Sequence, residues 1–142
     1  MLFRLSPFGA PTVRAVKKEQ KHYFHDWNAV RDDGSRFENL IASHLLKWTC
    51  YIQDTEGRDV ELMYFRDTDG REVDFVVTEN GEPVLAVEAK RSDRDVSKSL
   101  RYFKARFPTV DACQVSARGE KDFVTKEGIR VMPTVKLLSR FV

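Results

Sequence analysis

The stretch REVDFVVTENGEPVLAVEAKRS, residues 71–92, reads as two apolar strands around a turn, yet it carries Asp74, Glu88 and Lys90 inside it. Val73, Phe75 and Val77 alternate with Glu72, Asp74 and Val76, and the run from Val84 is rich in Val, Leu and Ala until Glu88. Asn80-Gly81 between them is a strong short hairpin signal. The loop length decides what the charges do. A plain two-residue turn pairs Asp74 with Val87 and sends the Asp74 and Glu88 carboxylates to opposite faces. A three-residue loop with Gly81 as a left-handed bulge shifts the pairing by one residue, so that Asp74 meets Glu88 and Glu72 meets Lys90. Carboxylates opposite one another lie about 5 Å apart at their β-carbons and repel. A hard divalent cation such as Mg²⁺, which takes carboxylate oxygens, waters and phosphates, answers that repulsion.

A plainer account stands beside this one. Lys90 can pair with Glu72 across the strands as an ordinary ion pair worth less than about 1 kcal/mol. Glu-x-Lys is a cheap pattern in a chain that is 32% charged, and Glu19-Gln20-Lys21 is a second copy. Only Glu88-Ala89-Lys90 ends a buried-looking strand after an Asp on its hairpin partner, so that copy alone is expected to carry chemistry.

Outward from the hairpin, Val60 to Arg66 reads as a preceding strand, separated from it by the turn Asp69-Gly70. Before that, Phe37, Leu40, Ile41, His44, Leu45 and Trp48 form one apolar face of a helix over 37–48. Glu38 lies at the edge of that face and could look into the sheet. Ser35-x-x-Glu38 also has the form of a capping box, in which Glu38 bonds back to the helix start. After the hairpin, a helix over 94–106 has Val96, Leu100, Phe103 and Phe107 as its buried stripe, Asp93 or Asp95 near its cap and Pro108 as its stop. Ala112 to Ser116 and Gly128 to Met132 are two more short strands, and Pro133 begins a last turn of helix. Residues 1–33 read as extended or loop segments.

The 142 residues, 42% hydrophobic and 11% aromatic, suit one domain over 1–142 with its own core. No apolar run approaches the roughly 20 residues of a membrane span, and MLFRLSPFGAP is broken too early by Arg4 and Pro7 for a signal peptide. A cytoplasmic protein without a membrane partner is expected. Cys50 and Cys113 lack metal-ligand or disulfide-framework spacing and are expected to be buried free thiols. His22, His25 and His44 are assigned no role; His44, on the apolar side of its helix, reads as a packing residue.

The net charge of +2 neither requires nor excludes nucleic acid, but its distribution is informative. Between Lys90 and Arg106 stand seven basic residues against Asp93 and Asp95. Arg94, Lys98 and Arg101 fall along one stripe that would meet phosphates beside the acidic hairpin, or else form a solvated face.

Glu38 on the first helix, Asp74 on one strand and Glu88-x-Lys90 on the next follow the order of acids that resembles the PD-(D/E)xK, restriction-endonuclease-like nuclease superfamily. More narrowly, KHYFHDW (21–27), RFENLIASHLLKW (36–48), LMYFRD (62–67), REVDF (71–75) and VEAK (87–90) resemble the C-terminal domain of a large prokaryotic family of AAA-type ATPases of unknown function. The resemblance implies an α/β fold with an α-β-β-β-α-β core, a mixed central sheet flanked by helices. It implies that Asp74 and Glu88, with the carbonyl of Ala89, hold Mg²⁺ or Mn²⁺, that Glu38 holds a second metal or its waters, and that Lys90 orients water or faces developing charge. Metal-dependent hydrolysis of nucleic acid, DNA above all, is the implied activity. A non-cleaving module that binds nucleic acid or an ATPase partner is the alternative, and a homodimer is left open. No G-x-x-x-x-G-K-[ST] occurs, so ATP hydrolysis is not carried over; the chain is expected to be a piece of a longer ATPase or a solitary descendant of its last domain.

Overall fold

In the computed structural model, which describes residues 1–9 and 20–141, the longest element is helix α1, Asp33–Glu56. It begins earlier than the apolar periodicity indicates, because Asp32 caps it: its carboxylate accepts the Ser35 N–H at 2.8 Å. It ends later, at Gly57, whose left-handed φ of 64° closes the last turn by donating its N–H to the Gln53 carbonyl. Ile41, Ala42, Leu45 and Ile52 form its buried stripe.

Three antiparallel strands follow, β3 Val60–Arg66, β4 Glu72–Glu79 and β5 Glu82–Lys90. Helix α2, Lys98–Arg106, then carries the chain over to β6, Asp111–Ser116, which lies parallel to β5. Strand β8, Arg130–Pro133, extends the parallel part, and β7, Phe123–Val124, forms an antiparallel edge beside it. The order across this six-stranded mixed sheet is β3-β4-β5-β6-β8-β7. A short helix α3, Thr134–Leu138, follows Pro133 as the sequence indicates. No helix among the described residues is long and apolar enough to cross a membrane.

Both faces of the sheet are covered. Leu62, Tyr64, Phe75, Val77 and Val87 pack with Ile41, Ala42 and Leu45 of α1, while Phe65, Val73, Val76 and Ala86 pack with Leu100 and Phe103 of α2. A strand buried on both sides loses its polar alternation, which is why β4 reads almost continuously apolar. Asp74 therefore sits in a strand with no solvent face to use.

The N-terminal residues are more ordered than a loop reading allows. Strand β1, Leu2–Leu5, pairs antiparallel with β2, Lys21–Phe24; residues 10–19, which belong to the segment read as extended, lie outside the described residues. Leu5 and Tyr23 join the α1 core, and Phe8 crosses to the other one, edge-on to Phe103 and Phe107. Asn39 of α1 fixes the end of β2, accepting the Phe24 N–H at 2.9 Å and donating to its carbonyl at 2.6 Å. Of the cysteines, Cys113 is buried as expected, whereas Cys50 is exposed, because it faces outward from α1.

Candidate functional site

The hairpin register follows from two irregularities. Asn80 and Gly81 have φ of 52° and 82°, the signature of a two-residue type I′ turn, not the three-residue loop expected. Glu79 pairs with Glu82 and Thr78 with Pro83, but Val77 pairs with Leu85, leaving Val84 as a bulge in β5. Beyond it Val76 meets Ala86 and Phe75 meets Val87. The shift sought from the loop thus comes from the strand, and it places Asp74 against Glu88 all the same.

A second bulge turns Asp74 itself. On the other side of β4, Met63 pairs with Val76 but Phe65 pairs with Val73, so Tyr64 stands opposite both Asp74 and Phe75. Val73 and Phe75 consequently serve different cores, although simple alternation would put them on one face. The Asp74 side chain comes to lie beside β2 and α1. Its Oδ2 accepts the Ala89 N–H at 2.9 Å, its carboxyl group is in hydrogen-bond contact with those of Glu88 and Glu38, and its Oδ1 lies 4.0 Å from Lys21 Nζ.

Asp74 and Glu88 are 9% and 6% exposed, so their charges are not relieved by water. Burial, then the hydrogen bond and charge of Glu88, push the Asp74 carboxyl up to about 8; the Ala89 N–H and Lys21 only moderate the rise. The shift favours the neutral Asp74 acid beside Glu88. Glu38, raised by burial and by Asp74, accepts the Tyr23 hydroxyl at 2.6 Å. That bond replaces the expected capping box: Asp32 caps α1 and Ser35 is its N–H donor, which frees Glu38 to reach inward. Burial and the same carboxylate keep the Tyr23 phenol protonated, so it stays a donor.

Lys21 and Glu72 complete the cluster, and neither was singled out from the sequence. Lys21 Nζ lies 2.8 Å from Glu72, 3.9 Å from Glu38 and 4.0 Å from Asp74, under the Tyr64 ring at 5.2 Å. Burial alone would lower its pKa, but the carboxylates around it override that and hold it above the ordinary lysine value. Burial would likewise raise Glu72, and the charges of Lys21 and Arg66 bring it below the ordinary range. The expected Glu72–Lys90 pair is not formed: Glu72 is taken by Lys21 and by Arg66 at 3.1 Å. Lys90, half-buried at the end of β5 beside Ser116, remains next to the acids in sequence but outside their ion pairs. The Glu-x-Lys copy set aside as incidental is the one whose lysine enters the site. Spacing carries no sign of this, because β2 reaches the acids only through its pairing with β1 and its anchor on Asn39.

Among the described residues no three His, Cys, Asp or Glu side chains form a ready cluster for a metal ion. The donor chemistry nonetheless fits a hard cation at Asp74 and Glu88. Mg²⁺ is commonly held by one or two carboxylates plus water, and these two are buried and adjacent, with the Lys21 ammonium 4.0 Å from Asp74. A hollow of about 230 Å³ lined by His22, Tyr23, Phe24, Ser35, Glu38 and Asn39 opens beside Glu38. A larger one of about 430 Å³, lined by Trp48, Tyr51, Ile52 and Phe141 among others, contains none of these acids.

The basic stripe is only partly as expected. Helix α2 starts at Lys98, because Ser97 caps it by accepting the Leu100 N–H, while Gln114 of β6 holds the preceding loop through the Ser97 N–H and the Arg94 and Asp95 carbonyls. Arg94 therefore lies on the loop between β5 and α2, off the helix. Lys98 and Arg101 are exposed on the helix, and Arg101 pairs with Glu127 at 3.4 Å. His44 is a satisfied packing residue, its Nδ1 3.0 Å from the Leu40 carbonyl.

Fold and site together define an α/β domain with a cluster of buried carboxyl groups beside the bulge of its central hairpin. Residues 33–137 match the domain of unknown function DUF4143, and the chain belongs to that family. The domain occurs at the C-terminus of AAA-ATPase-associated proteins. Glu38, Glu72, Asp74, Glu88 and Lys90 fall within the matched residues, whereas Lys21 and Tyr23 precede them. No curated protein and no solved structure matches the chain.

Proposed function

We propose that this domain is a metal-dependent phosphodiesterase acting on nucleic acid, DNA above all, built on a restriction-endonuclease-like core. The observation that carries the reading is the pair of buried, touching carboxyl groups at Asp74 and Glu88, set against each other by two bulges and relieved by no full counter-charge. A scaffold gains nothing from that arrangement, since like charges at this distance destabilise a sheet. The element order α1-β3-β4-β5-α2-β6 also supports it.

Asp74 and Glu88 would hold Mg²⁺ or Mn²⁺, and Asp74 would give up its proton as they do so. The ion would supply Lewis acidity toward a phosphoryl oxygen and would lower the pKa of water. Around it the chain's own groups have distinct tasks. Glu38, fixed by Tyr23, accepts hydrogen bonds from water on the α1 side. Lys90, at the mouth of the site, contributes positive charge toward a phosphate; Arg94 and Lys98, exposed on the next turn of chain, hold the flanking backbone.

Two observations favour a second reading, a module that binds nucleic acid or an ATPase partner without cutting. Lys21 already neutralises part of the cluster, and three-ligand metal geometry is lacking among the described residues. A calorimetric titration with Mg²⁺ or Mn²⁺, followed by cleavage of end-labelled DNA with metal and with EDTA, separates the two. The nuclease reading expects metal binding, metal-dependent cleavage and loss of both in Asp74→Asn. Absence of binding at millimolar metal, or cleavage that Asp74→Asn leaves intact, overturns it.

A further inference from the structure

The Lys21 ammonium stands inside the acid cluster, where a solvated surface lysine would not. Its Nζ is buried, and at 2.8 Å from Glu72 it makes an ion pair with no well-directed hydrogen bond. Its position is fixed by the backbone: β2 pairs with β1, and Asn39 clamps Phe24 two residues beyond Tyr23's neighbour His22. The Tyr23 and Tyr64 rings flank it at 6.0 and 5.2 Å.

The two oxygens of Asp74 are divided. Oδ2 is turned to β5, where it meets the Ala89 N–H, and Oδ1 is the one nearest Lys21. A carboxylate facing two cationic positions on its two sides is the arrangement of a two-metal site, whose ions stand about 3.5–4 Å apart. Here one of those sides already holds an ammonium. Charge counting agrees. With all four carboxyl groups Glu38, Glu72, Asp74 and Glu88 ionised, Lys21 and Arg66 balance two, and the two charges left are what a single divalent ion neutralises.

We propose that Lys21 is a built-in second cation: its ammonium takes the place of a second divalent ion among Glu38, Glu72 and Asp74, so the site binds one ion only, at Asp74 and Glu88. This rests on the metal reading above and replaces the expectation that Glu38 holds a second metal. Lys21 is on this account a positioning residue. It holds Glu38 and Glu72 close, and it leaves the Glu88 side of Asp74 as the one place for an ion.

The test counts Mn²⁺ bound to the whole chain by equilibrium dialysis, for wild type and for Lys21→Met, which keeps the apolar stem and removes the charge. One ion in wild type and two in the variant is the expected result. Lys21→Met leaves Glu38 and Asp74 without their cation and Glu72 with Arg66 alone, and it can fail to fold without metal, so its thermal melting is followed as Mn²⁺ is added. Recovery of a cooperative transition by Mn²⁺, to a greater extent than the shift in wild type, supports the proposal, and absence of recovery overturns it. One ion in both proteins, or two in wild type, also overturns it and leaves the metal site standing. No ion in wild type removes the metal reading and this inference together.

Discussion

Asp67 and Asp74 are both buried aspartates, seven residues apart on either side of the β3–β4 turn, and they are treated in opposite ways. Asp67 accepts the Asp69 and Arg71 N–H groups at 3.0 and 2.9 Å and pairs with the Arg71 side chain at 2.7 Å, which in turn stacks on Tyr102. Burial would raise it, and these bonds override burial and hold its carboxyl below the ordinary range. Asp74 has one backbone N–H and two carboxyl neighbours, and it is pushed up to about 8. Burial is common to both; satisfaction is not. A buried carboxylate with its full set of donors closes a turn, whereas one left facing other carboxyl groups is waiting for a cation or a proton.

The largest expected difference between the two is in metal binding. Asp74→Asn removes a proposed ligand, so Mn²⁺ affinity measured by calorimetry falls by more than the roughly 10–100-fold that changes outside the ligand shell cost. Asp67→Asn leaves that affinity unchanged. Equal losses in the two variants would mean that metal responds to the fold of the turn and not to a site at Asp74.

Stability reverses the ranking. In EDTA at neutral pH, Asp67→Asn takes a charged acceptor from Arg71 and two N–H groups and is expected to cost about 1–3 kcal/mol in denaturant unfolding. Asp74→Asn copies the protonated acid, since an amide can accept from Ala89 and donate to Glu88, and is expected to be neutral or mildly stabilising. Strong destabilisation by Asp74→Asn would place Asp74 with Asp67 as a scaffold residue and withdraw the nuclease reading.

The pH profiles should also have opposite signs. The folded state binds the Asp74 proton more tightly than the unfolded chain does, so this group lowers stability as pH rises from about 4 to about 8, by at most about 1.4 kcal/mol per pH unit, with no further change above. Asp67, held low in the fold, contributes stability above the unfolded carboxylate value that is lost as pH falls through its folded pKa. In urea melts across pH without metal, Asp74→Asn flattens the neutral-side decline and Asp67→Asn flattens the acid-side loss. A wild-type profile that rises steadily from pH 4 to pH 8 would contradict the raised Asp74 carboxyl.

The contrast also marks what the sequence could and could not convey. The strands β3 to β6, the positions of their turns and the helices α1 and α2 were legible, because apolar periodicity, Asn80-Gly81 and Asp69-Gly70 are local signals. That Asp74 and Glu88 should meet follows in the sequence from a three-residue loop at Gly81, yet the device differs: Val84 gives no sign of a bulge, since a β-branched residue in a strand looks regular until its partners are known. Lys21 was illegible for a different reason. It joins the acids across more than fifty residues, through a β1–β2 ribbon whose pairing no turn signal announces. Arg94 was misplaced because the helix start depends on Ser97 and on Gln114 from a distant strand, which outweigh the nearer aspartates as caps.

The smallest stability effect belongs to the exposed basic positions, and it makes the sharpest foil to both aspartates. Arg94, Lys98 and Arg101 are solvated, so replacing all three with Ala should move stability only within about 0.5 kcal/mol per site, the usual range for surface changes. Their expected effect is on nucleic-acid binding alone. Each phosphate contact contributes about 0.9 to the slope of log affinity against log salt on duplex DNA. Arg101 must give up Glu127 to reach a phosphate and should contribute least, so the triple variant is expected to flatten the slope by about two such contacts. Fluorescence anisotropy across a salt series in EDTA measures this without cleavage. A slope unchanged from wild type would return these residues to the solvated surface of α2 and the loop before it, and nucleic acid would then have to be sought against Lys90 and the hollow beside Glu38 instead.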